Sequence, residues 1–378
     1  MPDVSTDQLP HIVHMTSVHD PRDPRIFLKE CRSLARAGFR VTLIAPANED
    51  KEIDGVHIRA VTPGRARFSR FLKTTREVYR TALSLDADIY HFHDPELLPI
   101  GSRLAGLGKP VVYDIHEDYF TAIRQKPYLP AVLRDVVAHL FRLYESRAVR
   151  HMSCVIAESY YAERFPGATE VLNYPIVDDA LIAAPGCDPA SRRLLYTGGI
   201  TEDRGALAHA GLLTYHPDLE VSMMGRCAPD LAERLRETAK DAVSRLHIEG
   251  EGGYVAPSRI RDAYLTGGWL AGLALFPDTA HYRRKILTKF FEYMLAGLPV
   301  ICSNFRSWKL FVEELQCGFA VDPEDPAQAV AAINYLQNNP DEAREMGLRG
   351  RKAVLEQYRW DNEADKLVDL YKRLYNSV

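Results

Sequence analysis

A chain of 378 residues is too long for one ordinary hydrophobic core and fits two domains. With 46% apolar residues, 26% charged residues and a formal charge of -4, it reads as a folded, water-facing protein with no general attraction for nucleic acid. Its six cysteines are scattered without a C-x-x-C pair, which excludes a disulfide scaffold and makes a reducing cytoplasm the expected compartment. The opening MPDVSTDQLP is acidic and polar, unlike a signal peptide. The apolar stretch LTGGWLAGLALFP is too short and glycine-rich for a membrane span.

In chain order, His11 to Thr16 (HIVHMT) reads as a strand, followed by a turn-rich loop and a helix from Ile26 to Ala37 stopped at Gly38. Arg40 to Ala45 is the next strand, and such a βαβ unit implies a parallel sheet with ligands at the carboxyl ends of its strands. Val56 to Val61 is another strand, followed by a basic helix from about Ser69 to Leu85. DIYHFH (Asp88 to His93) and PVVYDIH (Pro110 to His116) are further strand-and-loop units. A long helix is expected from Tyr128 to His151, then a strand from Ser153 to Ala157, and Val171 to Pro175 closes the first half. Periodicity is lost over residues 176–190, where the linker is placed. The second half restarts with a strand at Arg193 to Tyr196 running into Thr197-Gly198-Gly199. A strand at Glu220 to Met224, a helix from Pro229 to Arg245 and a strand at Leu273 to Phe276 follow. Phe319 to Val321 and two terminal helices, the last from about Trp360 to Leu374, complete the chain. The expected class is α/β: two Rossmann-like domains, residues 1–178 and 191–358, with parallel sheets facing a central cleft.

The stretch KILTKFFEYMLAGLPVICS, Lys285 to Ser303, stands out. Phe290, Phe291, Met294 and Leu295 fall at helical spacing, Gly297 sits where a left-handed C-cap is wanted, and Pro299 cannot continue the helix. Lys289 and Glu292 are three apart and therefore neighbours on the other face. A cation in the first turn, beside free backbone N–H groups and the helix dipole, favours an anion. A nearby carboxylate adds the means to hold a sugar-like diol. A plain amphipathic helix with a surface ion pair fits the same residues.

The run TKFFEYMLAGLPVI resembles the donor-binding helix of retaining GT-B glycosyltransferases, close to family 4, and the other segments follow that family along nearly the whole chain. The resemblance implies a GT-B fold in which residues 359–378 form a helix crossing back onto the first domain. It implies that Glu292 holds the ribose of a nucleotide sugar and that Lys289 lies near the diphosphate. Tyr196 to Gly205 (YTGGITEDRG) is similar to the strand-loop opening of the family's donor domain. There Gly199 stands at the family's arginine and Arg204 at its lysine, so one cation is lost and one becomes a bidentate fork. The family's E-x7-E motif is incomplete: Glu292 fills its second place and Arg284 its first. Gly198, Gly199, Gly225, Arg226, Tyr254, Arg284 and Leu298 are the expected donor contacts.

In the first domain the loop from Ser17 to Arg25 (SVHDPRDPR) has no glycine, which counts against an NAD-type G-x-G-x-x-G loop and departs from the family's usual glycine pair. Asp114 to Tyr119 (DIHEDY) resembles the family loop whose histidine faces the donor sugar, so the resemblance gives His116 a catalytic place beside Arg204, Lys289 and Glu292. Asp20, Arg22, Arg25, His93, Asp94, Glu117 and Asp118 are the expected acceptor contacts. The H-x-H-D of residues 91–94 has the look of a metal pair, yet no third ligand has an obvious spacing, so no metal is expected.

Arg65 to Arg80 carries six Lys/Arg and one Glu, interleaved with Phe68, Phe71, Leu72 and Val78. That pattern fits contact with a membrane surface at the inner face of the plasma membrane, and equally a solvated face over a core helix. The expected activity is transfer of a hexosyl group from a nucleoside diphosphate sugar to a saccharide or lipid-linked acceptor, with retention, in cell-surface polysaccharide synthesis. The nucleotide sugar is a co-substrate, and no bound cofactor and no nucleic-acid partner is expected. A nucleotide-sugar epimerase of the same fold and a non-catalytic sugar-binding partner are the alternatives.

Overall fold

The computed structural model describes residues 10–62, 73–124 and 130–377. Its contacts divide the chain into two compact units, Met1–Asn173 with Trp360–Val378, and Tyr174–Arg359.

The first unit is built on an eight-stranded sheet in the order β3-β4-β2-β1-β5-β6-β7-β8. Its strands are β1 (His11–Met15), β2 (Arg40–Pro46), β3 (Lys51–Ile53), β4 (Val56–Val61), β5 (Ile89–Phe92), β6 (Val111–Ile115), β7 (Ser153–Ile156) and β8 (Thr169–Glu170). All pairs are parallel except the β3–β4 hairpin at the edge. That hairpin is absent from the sequence reading. Its turn is Asp54-Gly55 with φ of 51° and 78°, the two-residue reversal that Asp-Gly favours. Central strands β1, β5 and β6 are buried at every position, as strands covered by helices on both faces must be.

The helix after β1 starts two residues before the predicted Ile26. Asp23 accepts from the Arg25 and Ile26 N–H groups, and Pro24 takes the first position. It opens as a wide π-type turn over Pro24–Cys31 and tightens to an α-helix over Arg32–Arg36. Of the predicted basic helix, Thr75–Leu85 is helical and buries Val78 and Ala82, while residues 63–72 lie outside the described residues. The predicted 128–151 helix runs Ala131–Ala148 and ends in a 3-10 turn at Val149–His151. The last helix, Trp360–Tyr375, belongs to this unit's core. Leu367, Leu370 and Tyr371 pack with Phe27, Leu34 and Phe39, and the Trp360 indole N–H donates to Ser33 Oγ at 2.9 Å.

The second unit carries a six-stranded parallel sheet in the order β11-β10-β9-β12-β13-β14. Its strands are β9 (Arg193–Thr197), β10 (Glu220–Cys227), β11 (Leu246–Glu251), β12 (Ala271–Ala274), β13 (Val300–Ser303) and β14 (Gly318–Val321). Strand β12 lies two residues before its predicted place because its sequence, Ala-Gly-Leu-Ala, is small rather than β-branched. The smallness is required: a Cβ on Gly272 would stand 2.3 Å from the Tyr293 ring. The predicted Pro229–Arg245 helix breaks after Ala239, where Lys240 takes φ of 51° and a 3-10 turn continues to Arg245. Strand β11 and the helix Pro257–Thr266 lie in stretches left unassigned from sequence. Among the described residues, no helix is long and apolar enough to cross a membrane.

Candidate functional site

In the second unit, two glycine turns meet at the carboxyl ends of β9 and β10. The Gly198 N–H donates to the Met224 carbonyl at 2.9 Å, and a Cβ on Gly225 would lie 1.9 Å from the Gly198 carbonyl oxygen. Backbone packs directly on backbone there, and the Lys289 and Arg204 side chains stand over Gly198 and Gly199. Over these turns comes the helix Thr288–Leu295, which starts without a side-chain N-cap. Its C-terminus is closed as predicted. Gly297 has φ of 74°, its N–H donates to Met294 and that of Leu298 to Tyr293, the Schellman pattern.

Lys289 stands in the first turn of this helix. Its Nζ lies 3.6 Å from the centroid of the Tyr196 ring and 5.0 Å from that of Phe276. It is 9% exposed and has no hydrogen-bond partner. Burial, then the Arg204 charge, hold its ammonium well below the usual lysine range, with Glu292 opposing. Arg204 itself is half-buried, with Nη1 beside Gly199, and its Nε donates to the Tyr282 hydroxyl at 3.3 Å. That hydroxyl donates on to Asp203 at 2.9 Å. Glu292 is half-buried and receives the Tyr264 hydroxyl at 3.4 Å. Tyr264 also contacts Thr197 Oγ1 at 2.9 Å. Two cations near each other at a helix start, one of them unpaired, make a place for a doubly charged anion. A carboxylate one turn along can accept from hydroxyl groups.

The other expected donor residues divide by exposure. Arg226, Tyr254 and Arg284 are exposed. Leu298 is 2% exposed and its N–H is bonded to the Tyr293 carbonyl, so its side chain belongs to the core. The tyrosines at 196, 264 and 282 were missed in the sequence because an aromatic residue near a strand reads as core.

In the first unit, the carboxyl ends of β1, β5 and β6 gather a polar network. Arg25 makes a bidentate contact with Asp114 at 2.9 and 2.7 Å, donates to the Val171 carbonyl at 3.1 Å and is 6% exposed. His93, fully buried, spans Asp114 and His14, each at 3.0 Å. Asp94 is 2% exposed and accepts from Thr16 and from the Ser17 N–H at 2.8 and 2.6 Å. Arg25, His93 and Asp94, expected to meet an acceptor, are therefore interior and committed to protein partners. Asp20, Arg22 and Glu117 are exposed, and Asp118 is half-buried. His116 is half-buried, its Nδ1 3.4 Å from Asp114 but without hydrogen-bond geometry.

His19 carries no family signal, yet it is the neighbour of His116, edge-to-face at 5.3 Å. It lies 3.4 Å from Asp23 and 3.2 Å from Asp94. Burial disfavours its charge, but hydrogen bonds and attraction from these two carboxylates push its pKa up to about 10. It is an imidazolium at neutral pH.

Two family models match the chain, Glycosyltransferase Family 4 over residues 25–165 and Glycosyl transferase-like over residues 229–369. The phosphatidyl-myo-inositol mannosyltransferase of Mycobacterium leprae is 21% identical over 369 residues, covering 90% of each chain. Among solved structures, sucrose-phosphate synthase from Thermosynechococcus elongatus matches with a TM-score of 0.76 at 15% identity, over 98% of this chain and 100% of the other. The Anabaena protein HepE, solved in complex with UDP, matches with a TM-score of 0.69 at 10% identity, over 97% and 100%. At these identities the structural likeness is one of fold.

Proposed function

We propose that the chain, which matches glycosyltransferase models over residues 25–165 and 229–369 and has the GT-B fold, is a family 4-type glycosyltransferase that moves a hexosyl group from a nucleoside diphosphate sugar to a saccharide or lipid-linked acceptor, with retention. One observation supports the donor half of this reading above the rest. Lys289 keeps a buried amino group without a hydrogen-bond partner, near the Arg204 cation and at a helix start. Such a group is held ready for an anion that arrives with the substrate. The departing diphosphate spreads its charge over Arg204, Lys289 and the first-turn N–H groups of the helix, which stabilises the transition state more than the bound sugar nucleotide. Glu292 accepts from the ribose hydroxyls. Gly198 and Gly199 let the diphosphate approach the backbone. His116 donates to a hydroxyl of the transferred sugar.

In this scheme two cations and a helix end supply the charge neutralisation, so the transfer step is proposed to be metal-independent. The polysaccharide context and a cytoplasmic site at the inner membrane face complete the proposal, with Arg65 to Arg80 meeting anionic headgroups. Vesicle co-sedimentation checks that contact: binding to anionic vesicles and not to neutral ones is expected.

Calorimetry with UDP, GDP and ADP, followed by turnover with the matching hexose donors, tests the activity. Glu292→Ala is expected to weaken nucleotide binding about tenfold, and Arg204→Ala to lower turnover about a hundredfold. Unchanged binding and rate in both variants would overturn the assignment. Isomerised sugar from donor alone would mean an epimerase.

A further inference from the structure

Three histidines and a glutamate meet in the interior of the first unit; of the four only His93 stood among the expected acceptor contacts, and it is fully buried. His14 on β1 and His91 on β5 are register partners in adjacent parallel strands. His93 lies two residues beyond His91, on the same side of the sheet by strand alternation. Glu30 reaches this group from the wide π-type turn after β1, a helix form that recurs at functional sites. All four side chains are fully buried.

Both Glu30 oxygens lack a hydrogen-bond partner. Its Oε2 is nearly equidistant from three ring nitrogens: 3.9 Å from His14 Nδ1, 3.9 Å from His91 Nδ1 and 4.0 Å from His93 Nε2. The nitrogens of His14 and His93 are 3.0 Å apart, and one atom from each of the four residues lies within 4.8 Å of all the others. A point central to four atoms so spaced is roughly 2.3–2.5 Å from each. That is near the metal–nitrogen and metal–oxygen bond lengths of about 2.0–2.2 Å and short of the about 2.8 Å of a water hydrogen bond. A centre this tight suits a cation better than a water molecule.

The surroundings agree. His93 donates its Nδ1–H to Asp114 at 3.0 Å, which leaves Nε2 as a bare lone pair facing the cluster. A carboxylate behind a histidine in this way orients metal ligands generally. Asp114 is in turn held by Arg25, so the guanidinium beside Glu30 Oε1 at 3.1 Å is already balanced. Without a metal, His14 Nδ1 must carry a proton to donate to His93 Nε2, and a cation would replace that proton. Tyr371 from the last helix bonds two of these rings, its hydroxyl 2.5 Å from His91 Nδ1, the nitrogen that faces Glu30, and 3.2 Å from His14 Nε2, so a cation that takes up His91 Nδ1 displaces that Tyr371 hydrogen bond.

We propose that His14, Glu30, His91 and His93 hold one zinc-like divalent cation inside the first unit. Three imidazoles and a carboxylate suit a borderline cation such as Zn²⁺, and four protein ligands leave no open position. The ion is structural: it ties β1, β5 and the first helix together, beneath the last helix. Because the site is closed, it loads as the unit folds and exchanges slowly afterwards.

The test uses the full chain, refolded with and without Zn²⁺ and analysed for metal after gel filtration. One Zn²⁺ per chain is expected, retained against brief exposure to a chelator. X-ray absorption of the zinc-loaded wild type should show four nitrogen and oxygen ligands with imidazole scattering. Titrated with Co²⁺ during refolding, the wild type should develop the visible bands of a four-coordinate ion. Glu30→Gln, close in shape, should weaken Co²⁺ binding at least tenfold, while His247→Ala, at an exposed surface histidine, should not. Absence of stoichiometric zinc, an oxygen-rich six-coordinate shell, or equal affinity in Glu30→Gln and wild type would each overturn the proposal. Should Glu30→Gln fail to fold, the absorption spectrum of the wild type decides.

Discussion

At Lys289 burial and the nearby Arg204 hold the ammonium well below its ordinary pKa. An anion placed between the two cations reverses that shift, so binding a nucleoside diphosphate takes up a proton wherever the pH exceeds the pKa of the free lysine. UDP calorimetry in buffers of different ionisation enthalpy should reveal this uptake. Affinity should be highest at low pH and fall about tenfold per pH unit between the pKa of the free form and that of the complex. Lys289→Met should lose both the uptake and about a hundredfold in turnover. His19 makes a second residue-scale case. Its pKa is raised from 6.5 to about 10, so the stability it lends is fully present below pH 6.5 and is lost as pH rises towards 10. The wild type should lose more thermal stability over that window than His19→Gln, and equal losses would show that the Asp23 and Asp94 pairing does not persist in solution.

Among the elements, the helix Thr288–Leu295 was legible because its apolar spacing, its Gly297 cap and its Pro299 stop all agree. Strand β12 was misplaced because Ala-Gly-Leu-Ala has no strand signature, and only the Tyr293 ring lying over Gly272 explains it. The turn before the helix Ala206–Gly211 is equally dependent on its neighbours. Gly205 has φ of 74°, and a Cβ there would stand 1.7 Å from the Leu275 carbonyl oxygen. Gly205→Ala is expected to destabilise the protein by about 1–3 kcal/mol through strain and backbone displacement, read from chemical denaturation. A neutral result would mean that the β12 end gives way without resistance.

On the scale of the whole molecule, each unit has cores of its own, and the last helix contributes to that of the first. Leu367, fully buried in that helix, should therefore matter to a sheet that begins at His11. Leu367→Ala is expected to cost about 2–5 kcal/mol and, in calorimetry, to lower the transition of the first unit. On the proposed donor site, saturating UDP should raise the other transition by mass action. If Leu367→Ala and UDP moved the same transition, the two units would not unfold separately.

The sequence by itself determined the alternation of strands and helices and the placement of Lys289 and Glu292 side by side, since local spacing carries both. Exposure and partnership came only from the fold. Arg25 and Lys289 look alike in the chain, yet distant strands bring Asp114 to Arg25 and give Lys289 no hydrogen-bond partner. His91 and His93 have the look of a metal pair in the sequence, but nothing in the spacing marks His14 or Glu30 as their neighbours. Their meeting with Glu30 depends on strand order and on a wide helical turn, neither of which local propensity encodes.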